Sequence, residues 1–304
     1  MAKKKSGINK MLVICFATLF VLFIAGCSDN QEKGTRDNTP LIPKIEALGT
    51  EVYGNNLVVI DASNSAKGYV LVKYMGENKK IRLQITTNDE LIYTYALDYH
   101  GEYEVFPLTQ GNKSYTINVY ESIGGDKYAQ AYGTTIDVKM ENEFSPFLGP
   151  NQYVDYDGNS QVIALSQRLA KPANEDLDVV EGVYQYILDN IKYDYDRAAN
   201  VDIGYLPNID DVIDKGKGIC FDYAALATAL LRAQGIPTSL VIGYAGEVYH
   251  AWINVYIKDV GWVNKVIEFK GTEWVRMDPT YDANASTLDE YFGSGSEYHP
   301  MYLY

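Results

Sequence analysis

Cysteine is scarce in this chain of 304 residues: Cys15, Cys27 and Cys220 are all it has, too few for a disulfide-built scaffold. Histidine is equally rare, and His100, His250 and His299 confine any imidazole chemistry to three places. The apolar run Met11 to Ile24 has 14 residues, short of the roughly 18 that a membrane-spanning helix needs. Basic clusters are missing beyond the N-terminal start and the net charge is −14, so nucleic acid is not an expected partner. No EF-hand calcium loop occurs, and Gly216-Lys217-Gly218 lacks the spacing of a phosphate loop. Neither a metal nor another cofactor is expected.

What is present begins with an address. Lys3, Lys4, Lys5 and Lys10 precede the short apolar run, the order of a secretory signal. The run ends in Leu22-Phe23-Ile24-Ala25-Gly26-Cys27, which resembles the lipobox of bacterial lipoproteins. That resemblance implies cleavage before Cys27 and a diacylglycerol on its thiol, hence a lipid-anchored protein on the extracytoplasmic face of the bacterial cell membrane. Losing the four signal lysines takes the net charge to −18, a balance that favours cationic partners. With Cys15 removed and Cys27 acylated, Cys220 is left alone as a thiol outside the cytoplasm. Residues 28–46 are polar, contain Thr39-Pro40 and Ile42-Pro43, and show no periodicity, which predicts a disordered tether.

Residues 47–140 read as short strands between turns. Tyr69 to Tyr74 is a continuous strand-like run, and Ile81, Leu83 and Ile85 alternate with Arg82, Gln84 and Thr86. Leu91 to Leu97, Gly101 to Pro107, Tyr115 to Tyr120 and Ala131 to Val138 continue the style, and the series predicts an immunoglobulin-like β-sandwich. Tyrosines number 27 against 9 phenylalanines, which suits half-wet strand positions as well as a stacking surface for sugar or peptide.

Residues 141–157, with Pro146, Gly149 and Pro150, read as a linker into a C-terminal domain over 158–304. Ser160 caps a predicted helix over 161–169, and Asn174 a second carrying Leu177, Val180, Val183, Ile187 and Ile191 at helical spacing. Residues 200–208 read as irregular. The stretch Gly216 to Pro237, GKGICFDYAALATALLRAQGIP, is a glycine turn followed by a helix apolar nearly all round, hence buried, and closed by Gly235 and Pro237. Strands follow over 238–244, 249–257 and 273–277, so the domain is helices first and then sheet, α+β. Cys220 falls at the start of the buried helix, where unpaired N–H groups and the helix dipole favour a thiolate.

GKGICFDYA, a helix ending in QGIP, then His250-Ala-Trp252, then Met277-Asp278-Pro-Thr-Tyr-Asp resembles the transglutaminase-like superfamily of thiol enzymes over about residues 179–282. The resemblance implies a papain-like transglutaminase core, with Cys220 as nucleophile, His250 as general base and acid, and Asp278 orienting His250. The implied reaction is thiol acyl transfer on protein or peptide amides, of the cell envelope among others. Water as acceptor makes a peptidase or amidase, and a lysine amine makes a cross-linker. Hydrolysis is favoured because water is always at hand. Tyr193 is a candidate second oxyanion donor beside the Cys220 N–H, and Trp252 a candidate wall of the substrate site. A non-catalytic binding or scaffold lipoprotein with a vestigial triad is the alternative.

Overall fold

The computed structural model describes residues 32–88, 91–98, 100–258, 260–263, 267–270, 273–276 and 298–304. The signal segment, Cys27 and Asp278 lie outside the described residues.

Strands come first: β1 (Val52–Gly54), β2 (Val58–Asp61), β3 (Tyr69–Tyr74), β4 (Ile81–Thr87), β5 (Ile92–Ala96), β6 (Glu104–Pro107), β7 (Ser114–Gly124) and β8 (Lys127–Asp137). They form two antiparallel sheets, in the orders β1-β2-β3-β6 and β5-β4-β7-β8. The alternation along β4 is realised as read, with Ile81, Leu83 and Ile85 buried and Arg82 exposed. Tyr95 of β5 meets Phe106 of β6 edge to face at 4.9 Å, so the two sheets share aromatic packing.

Helices follow: α1 (Gln161–Ala170), α2 (Asp176–Asn190), α3 (Tyr195–Ala199), α4 (Ile209–Lys215) and α5 (Cys220–Arg232). Helix α2 does not start from Asn174 as expected. Glu175 is its N-cap, and Asp178 reaches back to accept from the N–H groups of Asn174 and Glu175 at 2.7 and 3.3 Å. In α5 every residue from Asp222 to Arg232 is buried, and the helix packs against α1, α2 and α4 as well as the sheet behind. Burying each of its leucines contributes about 1.5–3 kcal/mol. The helix ends as its sequence demands: Gly235 takes φ +70°, and the Ile236 N–H returns to the Leu231 carbonyl at 3.1 Å.

Two short parallel strands, β9 (Lys192–Tyr193) and β10 (Lys217–Gly218), lie beside the start of α5. The sheet after α5 has the order β13-β12-β11-β16, from β11 (Thr238–Ala245), β12 (Val248–Ile257), β13 (Gly261–Val263) and β16 (Tyr298–Leu303). A separate hairpin pairs β14 (Ile267–Lys270) with β15 (Glu273–Arg276).

The expectation of a disordered tether is corrected for residues 32–46. They form no helix or strand, yet their backbone is bonded to the helical region: Gly34 N–H to Lys171 O at 2.8 Å, Arg36 N–H to Ala173 O at 3.0 Å, Leu41 N–H to Ala233 O at 2.7 Å. The Arg36 guanidinium clasps Asp176 at 2.7 Å and the Gln234 carbonyl at 2.7 Å. Backbone donors satisfied in this way make a strap, and composition alone cannot reveal partners over a hundred residues away.

Candidate active site

The local build begins at Gly216, which ends α4 in the left-handed conformation (φ +59°) and turns the chain into β10. There the parallel pairing is fixed by Lys192 N–H to Gly216 O and Asp194 N–H to Gly218 O, each at 2.9 Å. Lys217 Nζ pairs with Asp194 at 2.9 Å, and Asp194 also accepts the Arg197 N–H at the start of α3. The lysine, first among these causes, holds the Asp194 carboxyl below the usual carboxylate range.

Asp222, two residues into α5, is fully buried. Its Oδ2 accepts the Ile219 N–H at 2.8 Å, and its Oδ1 accepts the Tyr205 hydroxyl at 2.6 Å. Tyr205 in turn accepts from Arg197 Nη1 at 2.6 Å. Burial pushes the Asp222 carboxyl up, opposed by the Tyr205 and Ile219 hydrogen bonds and the Arg197 charge. Gly218 makes room for this: a Cβ there would lie 2.6 Å from that of Asp222. The residue immediately before the thiol is thereby clamped, and Cys220 opens α5 with its N–H in the first turn, where no intrahelical acceptor exists.

His250 stands on β12 opposite Gly243 of β11. Its ring lies 6.4 Å from that of Trp252, nearly parallel to it, and 6.4 Å from that of Tyr298. A Cβ on Gly243 would fall 2.8 Å from Trp252 Cη2 and 2.2 Å from the His299 carbonyl oxygen. Only glycine lets β16 and the indole approach so closely behind the histidine.

Cys220, His250 and Tyr193 line one cavity of about 770 Å³. Trp252 is 1% exposed and is not among its lining residues, so it backs His250 from the core. His100 and His299 do not line it either; His100 packs against Tyr74 of β3. Tyr153, Tyr205, Phe221 and Tyr249 give the cavity an aromatic lining, and Arg82 of β4 and Tyr95 of β5 reach it from the N-terminal strands. Those contributions were not foreseen from the sequence. Asp222 did carry a signal, an acid inside an otherwise apolar helix, whereas Arg197 and Tyr205 fall in or beside a stretch with no pattern. The tyrosines also gather: Tyr93, Tyr95, Tyr153 and Tyr304 make mutual ring contacts at 4.4–6.5 Å, and Tyr153 touches Phe221 beside the thiol.

Among curated proteins, a UPF0252 protein of Methanocaldococcus jannaschii is 33% identical over 62 residues, an alignment spanning 19% of this chain and 18% of that one. Among solved structures, a proposed cysteine protease of Cytophaga hutchinsonii aligns with a TM-score of 0.36 and 16% identity over 84% of this chain and 91% of its own. A red sea bream transglutaminase aligns with a TM-score of 0.31 and 9% identity over 76% of this chain and 56% of its own. The family model described as the transglutaminase-like superfamily matches residues 163–279, the stretch that holds α2, α5 and β12 with Cys220 and His250. That stretch of the chain belongs to the transglutaminase-like superfamily.

Proposed function

We propose that the protein is a thiol acyl-transfer enzyme acting on protein or peptide amides, with hydrolysis as its main outcome. The observation that carries this reading is the meeting of Cys220, at the first position of α5, and His250, on β12, in the lining of one cavity. The Cys220 thiolate attacks the amide carbon, and the tetrahedral oxyanion is held by the Cys220 N–H and the Tyr193 hydroxyl. His250 passes its proton to the leaving nitrogen, the C–N bond breaks, and an acyl-thioester remains. Water, deprotonated by His250, then releases the carboxylic acid and restores the thiol. Asp278 orients His250 throughout this cycle. Residues 47–140 are read as an immunoglobulin-like sandwich, supported by the strand orders β1-β2-β3-β6 and β5-β4-β7-β8. Cys27 carries the lipid that keeps the enzyme at the cell surface.

The test is the rate of iodoacetamide labelling of Cys220 against pH, in the protein and in His250→Ala. Fast labelling in the acidic range that disappears in the variant is expected of a thiolate–imidazolium pair. Slow labelling with an ordinary profile, unchanged by the mutation, would sink the proposal and favour a binding role. Mass spectrometry of turned-over substrates separates the outcomes, since hydrolysis adds a water to the products and cross-linking expels ammonia.

A further inference from the structure

A second cavity, of about 600 Å³, adjoins the first, and the two share Gln152 and Leu206 in their walls. It lies between the strap at residues 42–45, β6, and residues 150–158. Its apolar surface comes from Ile42, Pro43, Ile45 and Leu206, and two buried polar groups in its lining lack partners among the described residues. Asn151 is 4% exposed: its Oδ1 accepts the N–H groups of Tyr153 and Val154 at 2.9 and 3.1 Å, while its Nδ2 has no acceptor among the described residues. Tyr156, also 4% exposed, has a hydroxyl with no partner among the described residues. Polar atoms kept dry and unpaired are costly to maintain, and a ligand with a carbonyl oxygen would relieve them.

Charge specifies the ligand further. The lining holds the carboxylates of Glu104, Asp155 and Asp157 against one cation, Lys44, whose Nζ is held by Glu46 at 2.8 Å. Asp157 is engaged with the N–H groups of Asn159 and Ser160, and Glu104 with the Asp98 N–H and Gln152. Asp155 makes no hydrogen bond or ion pair among the described residues. No group of three or more His, Cys, Asp or Glu is arranged for a metal among the described residues, so an organic cation fits better than an ion.

We propose that this second cavity is a subsite for a basic residue of a peptide substrate: a lysine or arginine side chain pairs with Asp155, and a peptide carbonyl accepts from Asn151 Nδ2. The chain continues past Gln152 and Leu206 to the thiol cavity. The peptide's role as substrate rests on the proposed acyl-transfer function, but its binding does not require the thiol.

The experiment uses the full chain carrying Cys220→Ala and fluorescein-labelled alanine-based peptides with one phenylalanine and one lysine. The lysine is stepped over positions about two to six residues from the phenylalanine, which at roughly 3.3–3.6 Å per residue samples both cavities. Fluorescence polarisation should show one spacing at which lysine binds about five- to tenfold tighter than norleucine. Asp155→Asn, isosteric and at an exposed position, should erase that gain and leave the norleucine peptide unchanged. Tyr156→Phe should weaken both peptides. Equal binding of lysine and norleucine at every spacing, or a gain that survives Asp155→Asn, overturns the subsite. If Cys220 proves unreactive while the lysine gain is intact, the catalytic reading fails and the cation site stands. If Cys220 is activated with no lysine gain, the reverse holds.

Discussion

At the scale of single residues, the backbone leading into Cys220 depends on a buried carboxylate. Asp222 holds the Ile219 N–H next to Cys220 and is itself held by Tyr205 and Arg197. Asp222→Asn keeps one acceptor oxygen for two donors, so one of them loses its partner. Alkylation of Cys220 is expected to slow about tenfold, the rate equivalent of about 1.4 kcal/mol of misplacement, with the denaturation midpoint measured alongside. Asp194 and Asp222 respond to acid with opposite signs. Asp194 titrates low, so its pairing stabilises the fold above about pH 4 and is lost as pH falls through the folded value. Lys217→Met should therefore raise the pH of acid unfolding followed by circular dichroism. Asp222 is pushed up by burial, so its charge costs stability at neutral pH, and that cost disappears on acidification through its folded value.

At the scale of elements, the tight place is where β11, β12 and β16 meet. Gly243→Ala drives a methyl into the His299 carbonyl and the Trp252 ring, at 2.2 and 2.8 Å. The expected result is a loss of about 1–3 kcal/mol in chemical denaturation, with slower Cys220 labelling because β12 carries His250. Strand β3 was legible to its ends, and α5 nearly so, because continuous apolar runs bounded by glycine leave little choice. Helix α4 was not, since Ile209–Lys215 is too short to show a period. Its bracketing signals were present all the same: Asn208 accepts the Asp211 N–H, and Gly216 supplies the left-handed end. The start of α2 was misplaced because the Asp178 side chain, reaching back, does the capping that Asn174 was expected to do. In the candidate site, Cys220 and His250 could be read from motifs. Arg82 and Tyr95 could not, because nothing local in a strand encodes which cavity its sheet will border.

At the scale of the whole molecule, the parts are tied together by Arg232. It is fully buried, and its guanidinium donates to the carbonyls of Gly149, Thr238 and Tyr304 at 2.5, 2.9 and 2.7 Å. Burial lowers its pKa to about 10, which leaves it charged at neutral pH. Arg232→Met strands two buried carbonyls and the half-buried one of Gly149, and should cost about 3–5 kcal/mol, read as a lower guanidinium chloride midpoint. The strands before residue 140 and the sheet after α5 are joined elsewhere by Thr109, whose hydroxyl donates to the Leu303 carbonyl at 2.9 Å, and by the Tyr93 and Tyr95 rings against Tyr304. One side of the thiol cavity is thus furnished by Arg82, Thr94, Tyr95 and Ala96, more than a hundred positions before Cys220. The two walls of this cavity are accordingly written in separate stretches of the gene. Drift in residues 47–140 can then change what this cavity admits while Cys220 and His250 stay fixed, and exchanging those strands between relatives should transplant a binding preference without rebuilding the wall that holds the thiol.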